Sequence, residues 1–445
     1  MVTDVSRRLR LSLRLVAGHS LRKKSVLETY RTFIIKIVSL GLTFLTSILL
    51  ARLLEAEGYG TYAYALSWVN LLGIFSIFGL DRLLIRETSV NIEKKNWRRV
   101  KGILKWANIL SLGIALFLAS SAALIGWYFY KAENSITIKT LWIALILLPF
   151  MSITALRSAT MQGLHKVALG QIPEDIVRPV FFTILLGITF LFFRDAVTTP
   201  LVMAFNVGGY IGAFFIGLYI LLKNLPDELA DAKPVYDGKN WLKAAMILCF
   251  LGAIHIVNRE VRTLMLGLLS SLEDVGIYTV ALRGADLILL PINVINAVIA
   301  SKFASLYGNK DMEELQRVFT LSTRAILAIT IPCAAILVFF SDFILGIFGQ
   351  SFLAGEKTLV IICTGYVLSG AMGSVGLLLT MTGHESLAAR AVIYSLLFNI
   401  FLNLILIPPL GSEGAAWSTA LTLVGLSGTY AYWVWKNLKI KPLPF

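Results

Sequence analysis

The sequence predicts an all-α polytopic membrane protein of about twelve transmembrane helices, arranged as two pseudo-symmetric six-helix bundles. Three observations carry this. Of 445 residues, 57% are hydrophobic and only 15% charged, at a mean hydropathy of +0.78, whereas soluble domains run near 25% charged. Apolar runs of about 20 residues, each enough to cross about 30 Å of hydrocarbon, recur along the chain. A motif near residue 60 returns 216 residues later. A transmembrane barrel would show alternating runs of about ten residues instead, and the sequence has none.

Residues 1–31 form a basic tail with eight Lys/Arg, among them Arg7, Arg8, Arg10, Arg14, Arg22, Lys23 and Lys24. No apolar run long enough for a signal peptide precedes the first span, so the tail is expected to be retained. It reads as a cytoplasmic tail that sets topology, although Leu9, Leu11, Leu13 and Leu15 would also allow a short helix on an anionic lipid surface. Spans are expected at 32–53, 61–80, 102–130, 138–160, 172–193 and 197–222, an N-terminal bundle over 32–222. The polar stretch 223–240, KNLPDELADAKPVYDGKN, reads as a cytoplasmic linker. Spans at 242–269, 275–299, 318–340, 357–380, 387–407 and 414–435 make a C-terminal bundle over 241–436, and 437–445 form a second cytoplasmic tail. Pro149, Pro179, Pro291 and Pro332 fall inside spans and should kink them. With the N-terminus inside, the inner segments hold 29 Lys/Arg and the short outer loops five. Both termini are therefore expected in the cytoplasm, and the chain in the inner (cytoplasmic) membrane.

The repeat pairs Glu57–Leu66 (EGYGTYAYAL) with Glu273–Leu282 (EDVGIYTVAL), so that Glu, Gly, Tyr, Ala and Leu coincide. Met161 and Gly163 pair with Met381 and Gly383 at an offset of 220. Six spans per half make this a parallel repeat about an axis along the membrane normal, the geometry of an alternating-access transporter. Tyr62 and Tyr278 match by repeat, with packing the favoured role.

Charges stand out inside the apolar runs. Each costs roughly 2.5–3.5 kcal/mol at a helix centre by insertion scales, and such residues mark functional sites or ion pairs. His255, Arg259 and Arg262 share one helix face by their i, i+4, i+7 spacing, and Arg283 shares a face with Asp286. Their first-half counterparts at an offset of 216 are the uncharged polar residues Thr43 (Arg259), Thr46 (Arg262), Ser67 (Arg283) and Asn70 (Asp286). A cavity with a cationic second-half wall and a neutral polar first-half wall fits this pattern, with Lys36 and Arg178 adding charge. Asp286 and Glu260 are candidates for coupling to a proton or sodium gradient, or for pairing, Glu260 with an arginine and Asp286 with Arg283. His255 reads as a core histidine. Asp81, Arg82, Arg86 and Glu87 at the inner end of the second span are candidates for an inner gate, or form a solvated helix end. Cys249, Cys333 and Cys363 read as small core residues, too far apart for a metal motif. No GxxxxGK[ST] loop marks an ATP pump, no metal-ligand cluster calls for a cofactor, and the placement of the charges argues against nucleic acid as partner.

The stretches Ala51–Leu66 with Gly79–Glu87, then LMLGLLSSLEDVGIYTVALR, FASLYGNKDMEELQRVF, FGQSFLAGEKTL, LLLTMTGHESLA and NIFLNLILIPPLGSEGAAWSTAL, resemble the oligosaccharide (O-antigen-type) flippases of the multidrug/oligosaccharidyl-lipid/polysaccharide exporter superfamily. In the last stretch Asn399, Asn403, Pro408, Gly411, Gly414 and Ala415 match the family's pattern. Two departures stand out. Arg262 occupies a place where members often carry an acidic residue, and no proline stands near Ala300–Ser301. The resemblance implies a non-enzymatic flippase carrying a polyprenyl-(pyro)phosphate-linked oligosaccharide to the outer leaflet for cell-surface polysaccharide such as lipopolysaccharide. Cationic groups on the first, seventh and eighth spans would line its cavity, with membrane lipids and other polysaccharide-assembly proteins as partners. Arg259, Arg262, Arg283, Lys36 and Arg178 would then contact the pyrophosphate, a dense anion suited to arginine. A drug or cation antiporter of the same superfamily is the alternative, followed by a polysaccharide polymerase or ligase, for which the outer loops are too short.

Overall fold

The structure, a computed structural model, describes residues 2–130, 135–193 and 197–442, without the side chains of residues 2–27, 29, 30, 129, 130, 251 and 255. The arginines and leucines of the basic tail and the His255 side chain therefore lie outside the described residues. In lipid every backbone polar group needs a partner within the protein, so the spans are helices.

In chain order the helices are α1 (Val2–Ile77), α2 (Leu80–Glu93), α3 (Trp97–Tyr130), α4 (Ile136–Leu145), α5 (Leu147–Gly163), α6 (Val167–Ile172), α7 (Arg178–Phe192), α8 (Thr199–Asn224) and α9 (Glu228–Asp231) in the first part of the chain. They continue as α10 (Gly238–Leu269), α11 (Leu272–Ala285), α12 (Leu289–Gly308), α13 (Met312–Phe339), α14 (Ser341–Phe348), α15 (Glu356–Ala371), α16 (Val375–Met381) and α17 (Glu385–Trp433). Nine stretches among the described residues are long and apolar enough to cross a membrane, and the two arms of α10, bent by 51° at residue 255, make a tenth. Two of the nine are double. α1 breaks at Glu55 (φ 55°, ψ −171°) and α17 at Gly411 (φ 52°, ψ −125°). Twelve crossings result, with both termini at one end of the bundle, here the terminal end, and the Glu55 and Gly411 turns at the far end.

The prolines sit at or near helix irregularities, because each lacks the N–H that would continue the ladder. Pro149 follows the α4/α5 break, Pro179 follows a π-turn over Pro173–Val177, and Pro291 follows a 3₁₀ turn over Asp286–Ile288. Pro332 is carried inside α13. The expected tenth span is interrupted between α15 and α16, where Gly373 (φ 70°) comes so close to α13 that a Cβ would stand 2.2 Å from Thr323 Oγ1.

The repeat is visible as packing. α1 and α11 cross backbone to backbone at the far end. A Cβ on Gly60 would lie 1.6 Å from the Leu272 carbonyl oxygen, and one on Gly276 would lie 2.0 Å from that of Ala56. These are the same contact seen from each half, related by the 216-residue offset. Two residues on, Tyr62 and Tyr278 are both buried, and each hydrogen-bonds to the last span of its own half. Asn206 Nδ2 donates to the Tyr62 hydroxyl (2.9 Å), and the Tyr278 hydroxyl pairs with Thr419 Oγ1 (2.8 Å). Around this seam Phe44 packs edge-on to Phe348 and Tyr59 to Phe352, while Arg52 Nε donates to the Ile347 carbonyl (2.7 Å). Asp274 accepts from the Ser412 amide and ties α11 to the Gly411 turn. The far end is thus sealed between the halves.

At the terminal end the polar linker is strapped to α3. Val235 donates to the Arg98 carbonyl and packs its own carbonyl on Gly102, where a Cβ would stand 1.9 Å away. Arg99 bridges Glu87 (3.2 Å) and Asp237 (2.9 Å), and Trp106 packs on Trp241.

Side chains at the seam would force the backbones apart, an overpacking penalty of about 1–3 kcal/mol. Gly60→Ala and Gly276→Ala should each lower the melting temperature of the detergent-solubilised protein accordingly. Gly113→Ala, where a Cβ meets nothing within 4 Å, should not. Thermal scans that rank the three alike would show that the seam is not tight.

Candidate functional site

The second-half wall is built on the inner arm faces of α10 and α11. Arg259 is largely exposed, at 67%, and its Nε bonds the buried Glu260 carboxylate at 3.0 Å. The same Glu260 oxygen lies 3.4 Å from Asn70 Nδ2 on α1, which joins the walls of the two halves. Arg262 is half-buried, donating to the Asn258 carbonyl (3.1 Å) and to Thr419 Oγ1 (3.3 Å), the hydroxyl that also meets Tyr278. Arg283 is exposed and has no hydrogen-bond or ion-pair partner among the described residues. Asp286, one helical turn on, accepts from the Tyr366 hydroxyl of α15 at 2.8 Å instead of pairing with Arg283. Arg283, Arg262 and Arg259 all lie within electrostatic reach of Asp286, so three guanidiniums share the wall with two carboxylates, Glu260 and Asp286.

Of the two expected internal pairs, Glu260 with an arginine forms and Arg283 with Asp286 does not. The reason is geometric. The Tyr366 hydroxyl of α15 reaches the Asp286 oxygen directly, while Arg283 comes within ion-pair distance of no carboxylate among the described residues.

The first-half residues divide by role. Asn70 reaches Glu260, whereas Thr46 is spent on packing, its hydroxyl bonded to the Leu42 carbonyl and to Thr183 Oγ1 (2.6 Å). Thr43 is half-buried and Ser67 buried, with no side-chain partner for either among the described residues. Lys36 is half exposed and paired to Asp175 at 2.6 Å. Arg178 lies over the Tyr210 ring (4.5 Å to the centroid) and bonds its hydroxyl at 2.5 Å. Neither cation stands free as Arg283 does. Of the suggested inner-gate residues, Arg82 is exposed against Gly252 of α10, Arg86 pairs weakly with its neighbour Glu87, and Asp81 is half-buried without a partner among the described residues.

One charged pair was not anticipated. Arg157, near the inner end of the expected 138–160 span, is buried inside α5, with its side chain only 2% exposed. It bonds Glu174 (2.7 Å) and the Gly170 carbonyl (3.1 Å), in a slot opened by Gly217, where a Cβ would stand 2.4 Å from Nε. The clue in the sequence was Glu174-Asp175 inside the fifth apolar run, the same kind of anomaly that marks Arg259–Arg262. Near this pair the first half holds a cavity of about 340 Å³ between α1, α2, α5, α7 and α8. Among the described residues no group of three or more His, Cys, Asp and Glu is placed to hold a metal ion.

Comparisons with known proteins agree with this architecture. Residues 28–300 match the family described as Polysaccharide biosynthesis protein, and residues 248–405 match MatE. The chain is 22% identical over 419 residues to the probable low-salt glycan biosynthesis flippase Agl15 of Haloferax volcanii, covering 93% of this chain and 84% of that one. It is 24% identical over 402 residues to the lipopolysaccharide biosynthesis protein WzxC of Escherichia coli, covering 87% and 75%. Among solved structures it superposes on an inward-facing multidrug resistance MATE family transporter with a TM-score of 0.74 at 12% identity, covering 90% and 94%. It superposes on the lipid II flippase MurJ in an inward closed conformation with a TM-score of 0.68 at 16% identity, covering 92% and 87%. At these identities the structural likeness speaks for the fold.

Removing one partner of a buried ion pair leaves an uncompensated charge, at a cost of roughly 3–5 kcal/mol. Glu174→Ala should therefore destabilise the protein by that order, and the double change Arg157→Met with Glu174→Leu should recover most of the loss. Denaturation of the purified variants in detergent measures both.

Proposed function

The chain belongs to the polysaccharide biosynthesis protein family, and from that premise we propose that it is a flippase for a polyprenyl-(pyro)phosphate-linked oligosaccharide. The observation that carries this reading is the wall of Arg259, Arg262 and Arg283, in which Arg283 has no partner among the described residues and Arg259 is mostly exposed. Holding cations without full neutralisation in a membrane protein is costly, and an anionic ligand is what offsets the cost. A pyrophosphate presents several oxygens to guanidinium forks that can each bind two at once. Charge-assisted hydrogen bonds of this kind contribute about 1.5–3 kcal/mol each.

The mechanism is a rocking exchange of the two halves. With the Gly60–Gly276 seam closed, the headgroup enters from the terminal end, which we place in the cytoplasm of a cell whose inner membrane holds the protein. Parting of the seam then exposes the same wall to the other side. The prenyl tail stays in lipid beside apolar surface such as Phe33 and Ile37 of α1 and Val294 and Val298 of α12, all exposed. Asn70–Glu260–Arg259 is the polar link across the halves, and a phosphate drawing Arg259 away from Glu260 would loosen it, so that loading favours the change of state. Coupling to a proton or sodium gradient is assigned on the same footing to Glu260 or Asp286. Other polysaccharide-assembly proteins stand as partners that supply or receive the glycan.

The match to MatE favours a second reading, a drug or cation antiporter. A cationic drug would meet like charge at this wall. Conferral of drug efflux on a pump-deficient cell would establish it.

Arg283→Ala should weaken binding of the lipid-linked oligosaccharide by about ten- to a hundredfold, the equivalent of about 1.5–3 kcal/mol. Arg259→Ala and Arg262→Ala should abolish translocation at normal membrane levels. A leaflet-accessibility assay in proteoliposomes reads this, and full activity in all three would remove the cationic-wall mechanism.

A further inference from the structure

We infer that the first-half cavity is the sugar subsite of the translocated substrate, distinct from the arginine wall that holds its phosphates. This rests on the flippase reading and adds the residues that recognise the glycan.

The cavity encloses about 340 Å³, within the range of roughly 300–1,000 Å³ usual for small-molecule sites. Its lining combines Asp81, Gln162, Glu174, Arg178, Tyr210 and Ser158 with apolar surface from neighbouring helices. Several of these groups have unused hydrogen-bonding capacity. Asp81, Gln162 and Ser158 have no side-chain partner among the described residues. Glu174 offers Oε2 while Oε1 is held by Arg157, and Arg178 Nε is buried without an acceptor. Of these, Arg178 Nε is the buried atom that a ligand or water has to complete, while the others open onto the cavity and are free to meet a ligand.

The mixture identifies the ligand class. Two carboxylates that accept, an amide that does both, a guanidinium that donates and apolar surface beside them are what a ring of hydroxyls and C–H groups requires. With Asp81 and the Arg157-paired Glu174 beside Arg178, the lining is mixed in charge, unlike the arginine-rich wall that suits a dense anion. A metal ion finds no cluster of ligands, and the space is far larger than one ion needs. Position supports the division of labour. Asn70 of α1 reaches Glu260 in the arginine wall, and Ile77, two turns further along the same helix, lines the cavity, so α1 leads from the phosphate wall to the sugar subsite.

The test titrates purified full-length protein with polyprenyl pyrophosphate and with the same lipid bearing one sugar, taken from a panel of hexose, N-acetylhexosamine, 6-deoxyhexose and uronic acid. At least one glycosylated lipid should bind more tightly than the bare lipid. Asp81→Asn should reduce that advantage by about tenfold and Gln162→Ala by a few-fold, with affinity for the bare lipid unchanged. Both variants leave the Arg157–Glu174 pair intact, and a monodisperse elution profile checks their folding. Arg283→Ala should weaken both lipids in parallel. A parallel loss in Asp81→Asn, an undiminished glycan preference in both variants, or a changed dependence of transport on pH or sodium with the preference intact overturns the sugar subsite while the flippase reading stands. Failure of the unaltered protein to bind any of these lipids overturns the flippase reading and the subsite together.

Discussion

The crossing of α1 and α11 at Gly60 and Gly276 is the constraint on which the other features rest. Two helices can approach until each backbone touches the other only where neither carries a side chain, and in lipid such close packing is a main source of helix association. The duplicated sequence places a glycine on each helix, and the pseudo-two-fold axis turns one glycine contact into two. Everything nearby then follows the same symmetry. Tyr62 and Tyr278 turn inward and bond Asn206 and Thr419, which fixes the last span of each half against its second span. The aromatic pairs and Arg52 complete the closure of the far end.

Charge breaks that symmetry. The second half carries Arg259, Arg262 and Arg283, while the first half has Thr43, Thr46 and Ser67 at the equivalent places. The first half has its own buried pair, Arg157 with Glu174, out of register with any charged pair of the second half. That pair is internally neutral and sits beside a polar cavity, whereas the arginine wall is only partly compensated, by Glu260. One duplicated scaffold thus carries two different chemistries, a cationic surface in the second half and a mixed polar one in the first.

The helical class, the spans and the duplicated halves were legible along the chain because hydrophobic length and a fixed residue offset are properties of the sequence itself. The charged stretch from Asn258 to Asp286 was legible for the same reason, since a charge in an apolar run is conspicuous without knowing its neighbours. Pairing was not. Asp286 shares a helix face with Arg283, yet its partner is Tyr366, 80 residues away, and no spacing rule reaches that far. Lys36 looked like a free cation until Asp175 of a different helix was placed against it. Arg157, near the inner end of the 138–160 span, was indistinguishable by sequence from the Lys and Arg that helix ends commonly carry. Its burial depends on the slot at Gly217.

By itself, then, the sequence determined the membrane class, the twofold internal plan and the location of the costly charges, each through local composition or periodicity. Tertiary structure alone decided which charges cancel, which remain exposed and which polar groups face a common cavity. Those outcomes depend on distances of a few ångströms between helices far apart in the chain, and the energy of an ionic group in a membrane protein turns on that separation.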